Sequence, residues 1–173
     1  GTHMDLTGPD SDLYRDPDEQ RQIVAAMTER IERDPADAQA YFRRGNAFSN
    51  LHQYEQAKLD MDHVIELEPA HVMAHNNRGV AHLCSGNVPA AIADLDRAIE
   101  LDPVYRDAYL NRGLAYWEVN RLDVAIADLS RAIEIDPACW SAYHHRGMVY
   151  SVQGDQDASF RDYLKARELR GEP

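Results

Sequence analysis

Residues 106–139 read RDAYLNRGLAYWEVNRLDVAIADLSRAIEIDPAC. The stretch holds two amphipathic segments. The first, 106–119, follows Pro103 and gives way at Asn120, a residue type that tolerates the left-handed backbone at a helix C-terminus. The second, 122–135, stops at Asp136-Pro137, because proline cannot continue a helix. The same text recurs on either side at steps of 34 residues. Asn111-Arg112-Gly113 has counterparts in Arg43-Arg44-Gly45, Asn77-Arg78-Gly79 and His145-Arg146-Gly147. Pro35, Pro69, Pro103 and Pro137 keep the step, as do Ala57, Ala91 and Ala125, with Ser159 fourth. The turn position is filled by His52, Gly86, Asn120 and Gly154. Four units fit this register, 38–71, 72–105, 106–139 and 140–173. Two helices of this length bury little alone, and stacked neighbours cover their apolar faces.

Ahead of the repeats, residues 1–17 comprise a Gly-Thr-His-Met expression scar and an acidic arm without apolar periodicity. Residues 18–34 then place Ile23, Val24, Met27 and Ile31 at helical spacing, and Asp34-Pro35 ends the segment. This predicts a capping helix. The leader to residue 37 holds 4 basic and 10 acidic side chains, and the whole chain 18 and 30, a net charge of −12. Such a chain repels polyanions, which argues against a nucleic-acid partner. No apolar run is long enough for membrane insertion. Cys84 and Cys139 form no disulfide framework, and a cytoplasmic location is the expectation.

The pattern resembles the tetratricopeptide repeat family. That family orders an aromatic, a large residue with glycine, a second aromatic, alanine, a large apolar residue, alanine and proline. The third unit answers with Tyr109, Arg112-Gly113, Tyr116, Ala125, Leu129, Ala132 and Pro137, and the first with Tyr41, Arg44-Gly45, Phe48, Ala57, Met61, Val64 and Pro69. The second unit departs by placing His75 and His82 at the aromatic positions. The fourth keeps Tyr143, Gly147, Tyr150, Tyr163 and Ala166 but has Ser159 for alanine and Gly171 for proline. The resemblance implies an all-α fold, a right-handed superhelical solenoid of helical pairs with an N-terminal capping helix. It implies a mode of use and names no partner.

Two features of the repeats call for a packing reason. Glycine inside a helix costs about 1 kcal/mol relative to alanine, so its recurrence at 45, 79, 113 and 147 predicts close helix contacts against Ala57, Ala91, Ala125 and Ser159. Arg44, Arg78, Arg112 and Arg146 stand where the family commonly has leucine, and Asp60, Asp94, Asp128 and Asp162 follow sixteen residues later in every unit. A lone buried charge is costly, which predicts Arg–Asp pairing within each helical pair.

In this family the first helices of successive repeats line a concave groove that holds extended segments or helices of partners. Carried over by register, the groove takes Phe42, Arg43 and Asn46 from the first unit and Asn76, Asn77 and Val80 from the second. Asp107, Asn111, Leu114 and Trp117 come from the third, His145 and Met148 from the fourth. Asn77 and Asn111, one repeat apart, are expected to grip a peptide main chain, since an amide both donates and accepts. The alternative is that asparagine merely solvates a helix face. Some family members clamp a C-terminal carboxylate; the matching positions here are Phe42, Asn46, Asn77, Asp107 and Asn111, which lack the basic residues and include a repelling aspartate. That clamp is rejected.

No phosphate loop, nucleophile elbow or Cys-x-x-Cys is present, so no catalytic residue and no cofactor is assigned. His71, His75 and His82 invite a zinc reading, yet His75 and His82 occupy core positions, and no metal is assigned. The expected function is protein–protein interaction, as an adaptor or scaffold holding a peptide of its partner. The rivals are a small acidic chaperone or assembly factor, as in secretion systems, and a metal-binding or enzymatic protein. The last helix carries Phe160, Tyr163, Leu164, Ala166 and Leu169 with no further helix after it. Charge capping, a partner, additional chain or a homodimer through that helix would each account for this.

Overall fold

A computed structural model describes residues 15–173, and among them every regular element is an α-helix. The chain divides into two compact units, one running through Leu101 and one from Asp102 to Pro173. The first holds α1 (Pro17–Arg33), α2 (Ala38–Asn50), α3 (Tyr54–Leu67), α4 (Val72–Cys84) and α5 (Val88–Leu101). The second holds α6 (Arg106–Glu118), α7 (Leu122–Ile135), α8 (Trp140–Gln153) and α9 (Gln156–Arg170). Within each unit every helix packs on the next; α2 also touches α4, and α6 touches α8.

Local chemistry accounts for the helix ends. Asp16 accepts the Asp18 N–H at 2.9 Å ahead of α1, whose first residue is Pro17. Asp37 caps α2 through Ala40 N–H at 3.0 Å, and Asp155 caps α9 through Ala158 N–H at 3.1 Å. His71 does the same for α4, its Nδ1 accepting from Ala74 N–H at 3.0 Å. The turns inside the pairs reverse at His52 (φ 58°), Gly86 (82°), Asn120 (59°) and Gly154 (88°), the left-handed conformation that the sequence predicts there.

In the first unit the core gathers Tyr41, Met61, Val64 and Ala74, with Ile31 of α1 and Phe42 packed against it. Leu110, Leu129, Cys139 and Val149 form that of the second, with Ala125, Ala132 and Ala142 between them. Gly113 lets α6 approach α7: a Cβ there would stand 2.9 Å from Leu129 Cγ and 3.2 Å from the Ala125 carbonyl oxygen. No helix among the described residues is long and apolar enough to cross a membrane.

Candidate functional site

The sixteen-residue arginine–aspartate spacing becomes a two-bond fork in each helical pair. Arg44 Nε and Nη2 donate to the two oxygens of Asp60 at 2.9 and 2.7 Å. Arg78 meets Asp94 at 2.9 and 2.7 Å, Arg112 meets Asp128 at 2.9 and 2.8 Å, and Arg146 meets Asp162 at 2.7 Å twice. The aspartates are buried and the guanidiniums half-buried. In Arg44 and Arg146 the hydrogen bonds donated to Asp60 and Asp162 outweigh desolvation and raise the guanidinium pKa further. The planar fork matches a carboxylate in a way lysine would not.

A second arm leaves the same arginines. Arg44 Nη1 donates to Thr28 Oγ1 of α1 at 3.1 Å, Arg78 Nη1 to Asp62 of α3 at 2.9 Å, and Arg146 Nη1 to Ser130 of α7 at 3.1 Å. Arg44, Arg78 and Arg146 therefore each join their own pair to the helix before it. The acceptors Thr28, Asp62 and Ser130 lie on the 34-residue step, a register signal present in the sequence. The helix α1 serves here as the second helix of a preceding pair. It is tied to α2 also by Arg30 Nη2 on Asp37 at 2.8 Å and by Asn50 Nδ2 on Gln20 Oε1 at 2.9 Å.

The residues assigned to a groove separate into surface and interior. Asn76 Nδ2 donates to Asn77 Oδ1 at 3.1 Å, and Asn77 Nδ2 donates to Asn46 Oδ1 at 2.8 Å, an amide chain from α4 to α2. Asn46 and Asn77 are half-buried and Arg43 is exposed. Phe42, half-buried, tilts over His71 with ring centroids 4.8 Å apart, and Val80 is half-buried too. In the second unit Asp107 is held by Arg106 Nη2 at 2.8 Å, and Met148 is half-buried. Trp117 packs against the core of its unit while keeping part of its surface. Leu114 must be corrected: it is 0% exposed and offers a ligand nothing. Asn76, Asn111 and His145 are buried as well. The His145 Nδ1–H donates to the Ser141 carbonyl at 2.7 Å, which binds the ring to its own helix.

The two histidines of the second repeat face a backbone carbonyl and a carboxylate. His75 Nε2–H donates to the Pro69 carbonyl at 2.9 Å, while His82 Nε2 lies 3.7 Å from Asp94 Oδ2. Burial lowers the His82 pKa, against the pull of Asp94. Burial raises the pKa of both cysteine thiols, which disfavours their thiolates. No group of three potential ligands gathers as a metal site among the described residues. Where α1 meets α2 an open cleft of about 410 Å³ runs past Arg15, Glu19, Gln20, Arg43, Asn46 and Asn50.

Repeated helical pairs, forked arginines and capping turns of this kind define an α-helical repeat protein. The tetratricopeptide repeat family model matches residues 42–106, 84–138 and 110–173, and the chain belongs to that family. No curated protein matches it in sequence. Among solved structures it is similar to MamA, with 26% identity over 92% of this chain and 97% of that one, at a TM-score of 0.77. PilW, a type IV pilus biogenesis factor, aligns at 20% identity over 90% of this chain and 72% of that one, TM-score 0.82. YrrB, described as having an unusual peptide-binding site, aligns at 21% identity over 89% and 79%, TM-score 0.69. The last two likenesses are likenesses of fold.

Proposed function

We propose that this chain is a protein–protein interaction module, an adaptor or scaffold that holds a peptide segment of its partner on the first helices of its repeats. The observation that carries this is the amide chain from Asn76 through Asn77 to Asn46. It lies on the first helices α2 and α4, with Arg43 exposed and Phe42 and Val80 half-buried beside it in the register. Amides can exchange their mutual hydrogen bonds for those of a peptide main chain, and half-buried apolar groups give its side chains somewhere to rest. The peptide-binding description of YrrB agrees with this reading.

Selection from a displayed peptide library, followed by affinity measurement, tests it. A selected peptide should bind Asn77→Ala at least about tenfold more weakly than wild type. Arg97→Ala, on the exposed side of α5, should leave affinity unchanged. Failure to select any peptide defeats the reading, as does equal binding by Asn77→Ala.

A second surface has its own observation: Phe160 and Leu164 of α9 are 63% and 45% exposed, one turn apart. Homodimerisation through α9 would cover them. Sedimentation over a wide concentration range reads this directly, and a strict monomer removes it.

A further inference from the structure

Acidic side chains outnumber basic ones 30 to 18 in this protein, so an arginine has carboxylates to choose from. Around α1 and α2, Arg21, Arg30, Arg33 and Arg44 each hold one. Arg15 and Arg43 hold none among the described residues, and both line the cleft between α1 and α2. Two amides share that lining. Gln20 is only 6% exposed; its Oε1 accepts from Asn50, and no described residue takes its Nε2 protons. Asn46 accepts from Asn77 through Oδ1, which leaves its Nδ2 protons without a described acceptor. The cleft thus offers two guanidiniums and two amide donors against one carboxylate, Glu19. Its volume of about 410 Å³ lies in the range of ligand-binding clefts.

We propose that the α1–α2 cleft binds a carboxylate-bearing peptide segment. The Arg15 and Arg43 guanidiniums take the carboxylate, and Gln20 and Asn46 donate to oxygens of the same segment. This rests on the interaction-module reading and names the chemistry of the partner. The site depends on α1, which lies outside the four repeats, and on neither Phe42 nor Asp107. Guanidinium and carboxylate supply a charge-assisted pair that a neutral amide side chain cannot replace. Glu19 opposes the ligand, so its removal strengthens binding.

The test uses Ala-Leu-Asp-Glu-Leu-Asp-Glu-Ala carrying an uncharged, carboxylate-free fluorophore on its N-terminus, its C-terminally amidated form, and both forms with Asn and Gln for Asp and Glu. Anisotropy titrations are run on the full chain. The acidic peptide should bind wild type, and Arg15→Gln/Arg43→Gln should weaken it about tenfold or more. Glu19→Gln should tighten it, and Arg161→Gln on α9 should not change it. Raising salt from about 50 to about 300 mM should weaken it. Loss on amidation assigns the carboxylate to the peptide terminus; loss on Asn/Gln exchange assigns it to side chains; either supports the proposal. Variants with unchanged melting temperature establish that folding is not the cause. No binding of the acidic peptide, equal binding of the neutral amidated peptide, or indifference to the double substitution overturns the proposal. Such a result leaves the interaction-module reading standing whenever library-selected peptides still respond to Asn77→Ala.

Discussion

Arg146 and Asp162, sixteen residues apart in sequence, meet in a fork whose two nitrogen–oxygen distances are both 2.7 Å. The carboxylate is buried against α8, so it lacks the water that would otherwise solvate it. Removing one partner strands the other. Asp162→Ala should therefore cost about 3 kcal/mol in urea unfolding, the lower end of what breaking a buried pair costs, because Arg146 keeps some solvent. The double substitution Arg146→Leu/Asp162→Leu should recover much of that loss. A cycle closed with Arg146→Leu and Asp162→Leu as the single variants, in which the two losses simply add, would show the fork to be without coupling.

The second arm of the arginine permits a gain as well as a loss. Ser130 accepts from Arg146 Nη1 at 3.1 Å, whereas the corresponding Asp62 accepts from Arg78 at 2.9 Å with a full charge. Ser130→Ala should destabilise by about 1 kcal/mol, the usual net worth of a hydrogen bond. Ser130→Asp should stabilise by a few tenths to about 1 kcal/mol, as half-exposed ion pairs do. If Ser130→Asp melts below wild type, the register equivalence fails energetically.

The repeat glycines are not equally replaceable. At Gly113 a new Cβ meets the branch carbon of Leu129 at 2.9 Å and a backbone oxygen at 3.2 Å, and neither can swing aside. At Gly45 the nearest atom is the terminal methyl of Met61, a flexible chain that can move. Gly113→Ala should cost about 1–3 kcal/mol through overpacking, with Gly113→Val worse. Gly45→Ala should cost less than Gly113→Ala, since better helix propensity of about 1 kcal/mol offsets part of the adjustment that Met61 and the Asp60 Cβ at 3.1 Å require. Chemical denaturation of the three variants checks the ranking.

Histidine burial makes stability depend on acid. The His82 pKa is lowered from 6.5 by burial, against the attraction of Asp94 and with the repulsion of Lys58 and Arg78. His144 is lowered by burial and by Arg170. As pH falls below 6.5 the unfolded chain takes up protons that the folded chain refuses, so stability is whole above that value and lost as pH falls through the lower folded values. The melting temperature should be level above pH about 7 and fall below it. His82→Phe, which installs the residue type of Phe48, should make that fall shallower. An identical pH profile in the variant would exclude His82 as a contributor.

The repeat register carried most of the fold. Period 34 located the helical pairs, and even His52, no usual turn residue, falls at the left-handed position because the register requires a reversal there. Register alone could not sort inward from outward around the first helices. Leu114 stands at a groove position by count yet is fully buried, and Trp117 divides its surface between core and solvent. Burial depends on the diameter and tilt of neighbouring helices, which a one-dimensional alignment does not contain. The amides of Asn46 and Asn77 were visible as groove candidates, but their bond to each other needs two helices in place. The α1–α2 cleft was invisible for the same reason: Arg15 and Arg43 are 28 positions apart and share no repeat register.

The three-way reach of these arginines decides where such a chain can be cut and rejoined. Cutting between α7 and α8, at the Asp136-Pro137 loop, severs the Arg146–Ser130 bond to a neutral hydroxyl. Cutting between α8 and α9 severs the fork to Asp162 and leaves a charge on each fragment. The Asp136-Pro137 loop is thus the cheaper of these two seams, whereas a cut at the Pro69 loop would part the charged Arg78–Asp62 pair. Duplication of 34-residue blocks joined at the Asp136-Pro137 loop would copy each arginine together with its own aspartate, and only the weaker contact to the preceding block would have to be made anew.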